Sequence, residues 1–232
     1  MKKYLFVLGL FASLGASFAR DAQGALLTVK APFEGQAAAD KIKTDADPKC
    51  KLMHPGGLTS DQVIVNSNQT LKNVFVYVKE GLSGKTFESP KEPVVLDQEG
   101  CEYQPKIFGI QVNQPLQIIN SDDTLHNVHA LPVNSQSFNL GMPIKGMKLK
   151  KTFSKPEVMV KIKCEVHPWM SAHVGVVDNP YYGVTNDDGN ALIKDLPVGD
   201  YTLEAWHEKY GSQIQKVTVT DQDQEISFTF KA

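Results

Sequence analysis

Cys164-Glu165-Val166-His167-Pro168-Trp169-Met170, running on into Ser171-Ala172-His173-Val174-Gly175-Val176-Val177, and the earlier Thr124-Leu125-His126-Asn127-Val128-His129-Ala130 carry strand pattern and metal donors together. The C-x-x-H-x-x-M spacing gathers a thiolate, an imidazole and a thioether in one short loop, and the earlier stretch supplies a second imidazole. Cu(I) prefers sulfur and Cu(II) binds imidazole strongly, so this donor set suits copper, whereas zinc would not select a methionine. The expected cofactor is one mononuclear copper ion.

Strand alternation selects between the two histidines of the earlier stretch. Successive side chains point to opposite faces, so His126, Val128 and Ala130 share one face while Asn127, His129 and Leu131 share the other. The small apolar partners place His126 inward. Asn127 is then positioned to hydrogen-bond the ligand loop from outside the donor set, and His129 is expected to be exposed or at the boundary. Pro168 has a fixed φ and no N–H, which stiffens the gap between the donors of the later loop. So short a loop is expected to bring His167 toward the surface, in an apolar patch with Pro168 and Trp169 where a partner protein can dock.

Beyond these stretches, alternating or β-branched runs recur at 26–30, 62–65, 74–79, 93–97, 106–112, 116–120, 126–131, 157–163, 174–177, 201–206, 214–220 and 226–230. Gly, Pro, Asn and Asp punctuate them at short intervals. That rhythm predicts an all-β protein built of sandwiches, with no helix outside the N-terminal apolar run. Residues 33–60 are polar and rich in Ala, Asp and Lys, and are expected to form an irregular excursion tied down by Cys50. Asp187-Asp188-Gly189 lacks the ligand spacing of a calcium loop and reads as a hairpin turn. With 41% hydrophobic and 22% charged residues, the 232-residue chain is no disordered polymer. A formal charge of −2 without a long Lys/Arg run gives no footprint for nucleic acid.

The N-terminus sets the expected compartment. Lys2 and Lys3 precede an apolar run over 4–18, and Ser17 and Ala19 stand at the −3 and −1 positions of a cleavage site. Residues 1–19 are therefore expected to be a signal peptide, leaving a periplasmic or secreted product with no membrane span. In an oxidising compartment two of the three cysteines should pair. Cys50 lies in a polar loop and Cys101 in a turn, so these two are matched and Cys164 is left as the functional thiol. His54 beside Cys50 is read as a loop residue, and His173 as a solvated one where the strand resumes.

HNVH in one strand, followed by C-x-x-H-P-aromatic-M before a closing strand, resembles the cupredoxins, the small blue copper proteins of the amicyanin and plastocyanin type, and amicyanin most closely. The likeness covers 90–178, including Tyr103-x-Pro105 and the stretch Val112-Asn113-Gln114-Pro115-Leu116. It implies a Greek-key β-sandwich in which His126, Cys164 and His167 are the trigonal copper ligands and Met170 is the weak axial one. Such a set is acceptable to both copper oxidation states, so an electron passes with little rearrangement.

The tail resembles a second family. The turn at Asp188-Gly189, the connector Leu196-Pro197-Val198-Gly199 and the alternating strand Tyr201-Thr202-Leu203-Glu204-Ala205-Trp206 are similar to the carboxypeptidase regulatory-like, or transthyretin-like, β-sandwich module. About fifty residues bury too little core to stand alone. Strands from 26–33 and 73–79 are therefore expected to complete a second, smaller and discontinuous sandwich. The domain reading is 1–19 signal peptide, 20–89 N-terminal strands and loop pairing with the C-terminal part, 90–178 cupredoxin domain, and 179–232 carboxypeptidase regulatory-like sandwich. Trp206-His207-Glu208 is expected to pack between domains. Proteins labelled methylamine-utilisation proteins are similar in combining such a loop with such a tail, a label that identifies no partner.

These features together lead to an exported type 1 copper protein carrying single electrons between redox partners. The alternative is a periplasmic copper carrier without that role. An enzyme is not expected, because six histidines, two of them already used, leave no second copper cluster.

Overall fold

A computed structural model describes residues 24–38 and 40–232; the expected signal peptide lies outside the described residues. The chain is all-β, with a single short helix, Pro48–Met53, among the described residues. No helix among them is long and apolar enough to cross a membrane.

Two sheets enclose the core that carries the candidate metal donors. One has five strands in the spatial order Phe138–Met142, His126–Ala130, Glu157–Lys163, Ser171–Val177 and Ile107–Gln111. The other has four, in the order Lys148–Lys151, Leu116–Asn120, Val94–Glu99 and Glu102–Gln104. Alternation does what the sequence pattern requires: Leu116 and Ile118 from one sheet and Val128, Ala130 and Ile162 from the other fill one buried cluster. Cys164 and Met170 belong to the same cluster.

Strands from both ends of the chain build a second core. Ala25–Lys30 lies between Asn190–Leu196, antiparallel, and Gln224–Ser227, parallel. A four-stranded sheet, Tyr182–Val184, Phe75–Glu80, Gly199–His207 and Gly211–Val219, faces it. Leu27, Val29, Val76, Val78, Leu203 and Ala205 meet in that core.

The seam between the two cores explains the unusual burial of Ser171–Val177, in which every residue after Ser171 is buried. Ala172, Val174 and Val176 face the first core. His173, Gly175 and Val177, on the opposite face, meet side chains from the second half. Gly175 pairs in register with Gly109. A Cβ at Gly175 would sit 2.3 Å from Phe75 Cζ, and one at Gly109 2.2 Å from Tyr182 Cε2. The two glycines thus form a seat for aromatic rings of the neighbouring sheet. Lys106 Nζ reaches Asp61 at 2.9 Å and Glu208 at 3.4 Å across the same seam.

Several expectations change here. His173 is 7% exposed rather than solvated, with its ring 5.1 Å from that of Trp206. Burial, reinforced by Lys106 and Lys161, lowers its pKa to about 4. Within Trp206-His207-Glu208, Trp206 and Glu208 serve the seam, while His207 turns back to accept the Lys209 amide at 3.1 Å. Strands form at Phe138–Met142 and Lys148–Lys151, where no β-branched run announces them. Both are sheet edges, where Asn and Lys tolerate solvent and discourage further pairing. Residues 62–65 provide only an isolated bridge, Val65 to Leu71. The helix Pro48–Met53 replaces the expected irregular excursion because Asp47 Oδ1 accepts the amides of Lys49 at 2.7 Å and Cys50 at 3.1 Å. Pro48 stands at the first helical position, where no N–H is needed.

Gly175→Ala is expected to lower stability by about 1–3 kcal/mol through overpacking against Phe75. Urea denaturation measures this, and an unchanged midpoint would show that the seat is loose.

Candidate metal centre

The loop Cys164–Met170 joins Glu157–Lys163 to Ser171–Val177, two antiparallel strands that pair as far as Lys163 and Ser171. It closes on itself. The Cys164 amide donates to the Met170 carbonyl at 3.1 Å, and the Met170 amide to the His167 carbonyl at 2.9 Å. Pro168 and Trp169 are the two central residues of that inner turn, where a fixed proline φ is favourable. The His167 amide in turn donates to Cys164 Sγ at 3.4 Å.

His126 opens the adjacent strand, whose His129 is paired with Lys163, so its ring reaches over the loop. The Nδ1 atoms of His126 and His167 lie 3.0 Å apart, and Cys164 Sγ lies 3.8 Å from His167 Nδ1. All three residues are buried, and their donor atoms lie within 4.8 Å of one another. Two further donor groups overlap this one, Asp47 with Cys50 and His167, and Cys101 with Asp122 and His126. Both depend on sulfurs that are joined in the Cys50–Cys101 disulfide. Of these three groups among the described residues, only that of His126, Cys164 and His167 has every donor free to be a ligand.

A second layer fixes the rings. His126 Nε2 donates to Asp122 Oδ2 at 2.8 Å, and His167 Nε2 to Asp47 Oδ2 at 3.2 Å. Each carboxylate also accepts a disulfide cysteine's amide: Asp122 that of Cys101 at 2.8 Å, Asp47 that of Cys50 at 3.1 Å. A carboxylate on the far nitrogen sets the tautomer and leaves Nδ1 to face the centre. Asn127 Oδ1 accepts the Glu165 amide at 3.1 Å, bracing the start of the loop.

The electrostatics follow from this network. Burial would raise the Cys164 thiol, but hydrogen bonds from His126 and His167 outweigh it and bring its pKa to about 6. Burial would likewise lower His126, yet the bond to Asp122 and the contact with Cys164 raise it to about 9. His167 is raised against burial by Cys164 and Asp47. These shifts favour a thiolate beside an imidazolium in the metal-free centre, charges that a cation can replace.

The remaining expected residues are placed as follows. Met170 is 1% exposed, in the same apolar cluster as Cys164. His129 is half-buried on the opposite face and pairs with Glu165. His54 Nε2 is bound to the Gly100 carbonyl at 2.7 Å. Cys50 and Cys101 form a disulfide. The expectation that His167 approaches the surface fails: it is 1% exposed, because the helix Pro48–Met53 and Asp47 cover it. Of its neighbours, Pro168 is exposed, and Trp169 is half-buried, its Nε1 donating to the Cys101 carbonyl at 3.0 Å. Asp47 and Asp122 are the residues that sequence reasoning missed. Asp47-Pro48 does carry a helix N-cap signature, and Asp122 stands four residues before His126, but nothing local marks either as a partner of an imidazole.

No protein family's model matches the chain, and no curated relative matches it. Parts of it are similar to solved structures. One is a copper-containing nitrite reductase (NirK) from Thermus scotoductus SA-01, at 23% identity and a TM-score of 0.35, covering 43% of this chain and 25% of that one. Another is a purple cupredoxin from Nitrosopumilus maritimus, at 22% identity and a TM-score of 0.31, covering 35% and 97%. A third is an oxidised proline-to-glycine mutant of amicyanin, at 20% identity and a TM-score of 0.32, covering 50% and 99%. The chain thus spans a quarter of the reductase's length. Each overlap is partial, and what the centre can do follows from its own side chains.

In the metal-free protein the Cys164 thiolate, followed by its ultraviolet absorbance, should appear with a midpoint near pH 6, well below the ordinary 9.0. Because this pKa is lowered on folding, its contribution to stability is complete above about pH 9 and is lost as pH falls through about 6. His126 runs the other way, stabilising below 6.5 and losing that effect as pH rises through about 9. His126→Gln should move the thiolate midpoint upward, and an unmoved midpoint would remove His126 from the network.

Proposed function

We propose that this chain is an exported type 1 copper protein that carries single electrons between redox partners, and not an enzyme. One observation carries the reading: two Nδ1 atoms and one thiol sulfur converge in a buried site, with the far nitrogen of each ring already engaged by a carboxylate. His126, Cys164 and His167 would be the strong ligands and Met170 the weak axial donor. Copper held there supplies a one-electron couple whose two states both accept this donor set.

The protein's own part is orientation and exclusion of water. Neither imidazole can turn without breaking its bond to Asp122 or Asp47. The inner turn at Pro168 and Trp169 and the brace from Asn127 keep Cys164 and His167 in register with His126. Cys164 is 3% and His126 0% exposed, so solvent has little to reorganise when the charge changes. The disulfide and the N-terminal apolar run support export to the periplasm or beyond. A redox partner would dock at the end of the sandwich beside His167, Pro168 and Trp169, where Leu125 and Val166 are exposed.

One observation favours the alternative of a copper carrier: the imidazole edge of His167 is covered, which an electron carrier does not require. The two readings differ in spectrum and lability. Copper-loaded mature protein should show an intense visible thiolate-to-copper band and a reversible potential. Cys164→Ser and His126→Ala should each abolish the band, whereas His129→Ala should leave it unchanged. Met170→Leu should raise the potential. A pale site that yields its metal rapidly would favour carriage instead.

A further inference from the structure

The helix Pro48–Met53 belongs to neither pair of sheets, yet its long-range tethers lead to the end of the first sandwich that carries the candidate donors. Cys50 is bonded to Cys101, Lys49 Nζ meets the Asp123 carboxylate, and His54 Nε2 meets the Gly100 carbonyl. Asp47 Oδ2 accepts from Thr124 Oγ1 at 3.2 Å as well as from His167 Nε2 at 3.2 Å. Cys50 Sγ lies 3.6 Å from the same Nε2. The helix therefore rests directly on the far edge of the His167 ring.

Asp47 divides its two oxygens between two tasks. Oδ1 caps the helix through the Lys49 and Cys50 amides, and Oδ2 holds the ring. Seating the helix and orienting His167 are consequently one event, made by one carboxylate. For metal to be exchanged through this side, His167 must swing away, which breaks its bond to Asp47 under a helix that the disulfide keeps in place.

We propose that Asp47 is a positioning residue, and that the disulfide-anchored helix it caps is a cover that holds His167 with Nδ1 toward the centre and slows the exchange of bound metal. The identity of that metal rests on the copper reading, but the orientation of the ring does not.

Asp47→Asn separates the two tasks. Asparagine caps a helix as well as aspartate does, so its oxygen stays with the Lys49 and Cys50 amides and the fold is kept. Its amide NH2 then opposes the Nε2–H of His167, donor against donor. Two measurements on the full mature chain with the disulfide intact read the result. Nitrogen NMR of the metal-free protein, at a pH where the His167 ring is neutral, reports whether it carries its hydrogen on Nε2. Transfer of Cu(I) to excess bicinchoninate reports the opening of the site. The wild type should show hydrogen on Nε2, and Asp47→Asn should shift it off that atom and transfer copper at least tenfold faster, since a hydrogen bond to a charged group no longer has to break. Asp47→Ala, which also loses the cap, should exceed it. An unchanged His167 signature with a transfer rate within twofold of wild type in Asp47→Asn would overturn the proposal. If the wild type binds copper without a thiolate band while the His167 signature still depends on Asp47, the copper reading falls and the positioning role stands.

Discussion

The candidate metal centre depends on two carboxylates, each holding one imidazole and one half of a disulfide. Asp122 joins His126 to the Cys101 amide, and Asp47 joins His167 to the Cys50 amide. A neutral imidazole can present either nitrogen, and a buried ring without a fixed partner would sample both. With both far nitrogens engaged, the two Nδ1 atoms have only each other and Cys164 to face. The disulfide draws the two carboxylates' anchor points together, because the sulfurs it joins belong to the very residues whose amides they bind. Removing one carboxylate would free one ring, whereas opening the disulfide would loosen the frame under both.

How much of this could be read beforehand depends on the range of the interaction. His126 was separable from His129 because strand alternation is local, and Val128 and Ala130 declare the inner face. The Cys164–Met170 loop was legible for the same reason, its donors and its proline lying within one turn. Asp47 was not. It sits 120 residues from His167, in a polar segment whose composition resembles a loop, and its partner is set by a disulfide rather than by any pattern. The edge strands Phe138–Met142 and Lys148–Lys151 were missed because an edge strand needs only one neighbour and can carry polar residues that an inner strand could not.

The second core bears on the centre through one strand. Ser171–Val177 begins where the ligand loop ends, and its outward face is filled by Phe75 at the Gly175 seat and by Trp206 against His173. Lys106 adds a hydrogen bond to Ser171 at 3.0 Å, the residue directly after Met170. A strand packed on both faces has little freedom to twist or slip. The loop's exit is thereby fixed from behind as its two rings are fixed from the side.

Covering His167 need not isolate it. Outward from the ring, beside the Asp47 carboxylate at 3.2 Å, lie Cys50 Sγ at 3.6 Å and the Trp169 ring, its centroid 5.1 Å away. Trp169 is in turn hydrogen-bonded to Cys101, so ring, indole and disulfide form one continuous contact. Beyond them the helix presents Leu52, 80% exposed, and Met53, 42% exposed. A partner meeting that apolar helix face would stand one layer of side chains farther from the centre than one touching a bare imidazole. In return, water is kept from the ligand edge, where its reorientation would oppose any change of charge. For an electron carrier the cover exchanges a short distance for a drier site, and for a metal carrier the same contacts act as a latch, so the helix matters under either reading.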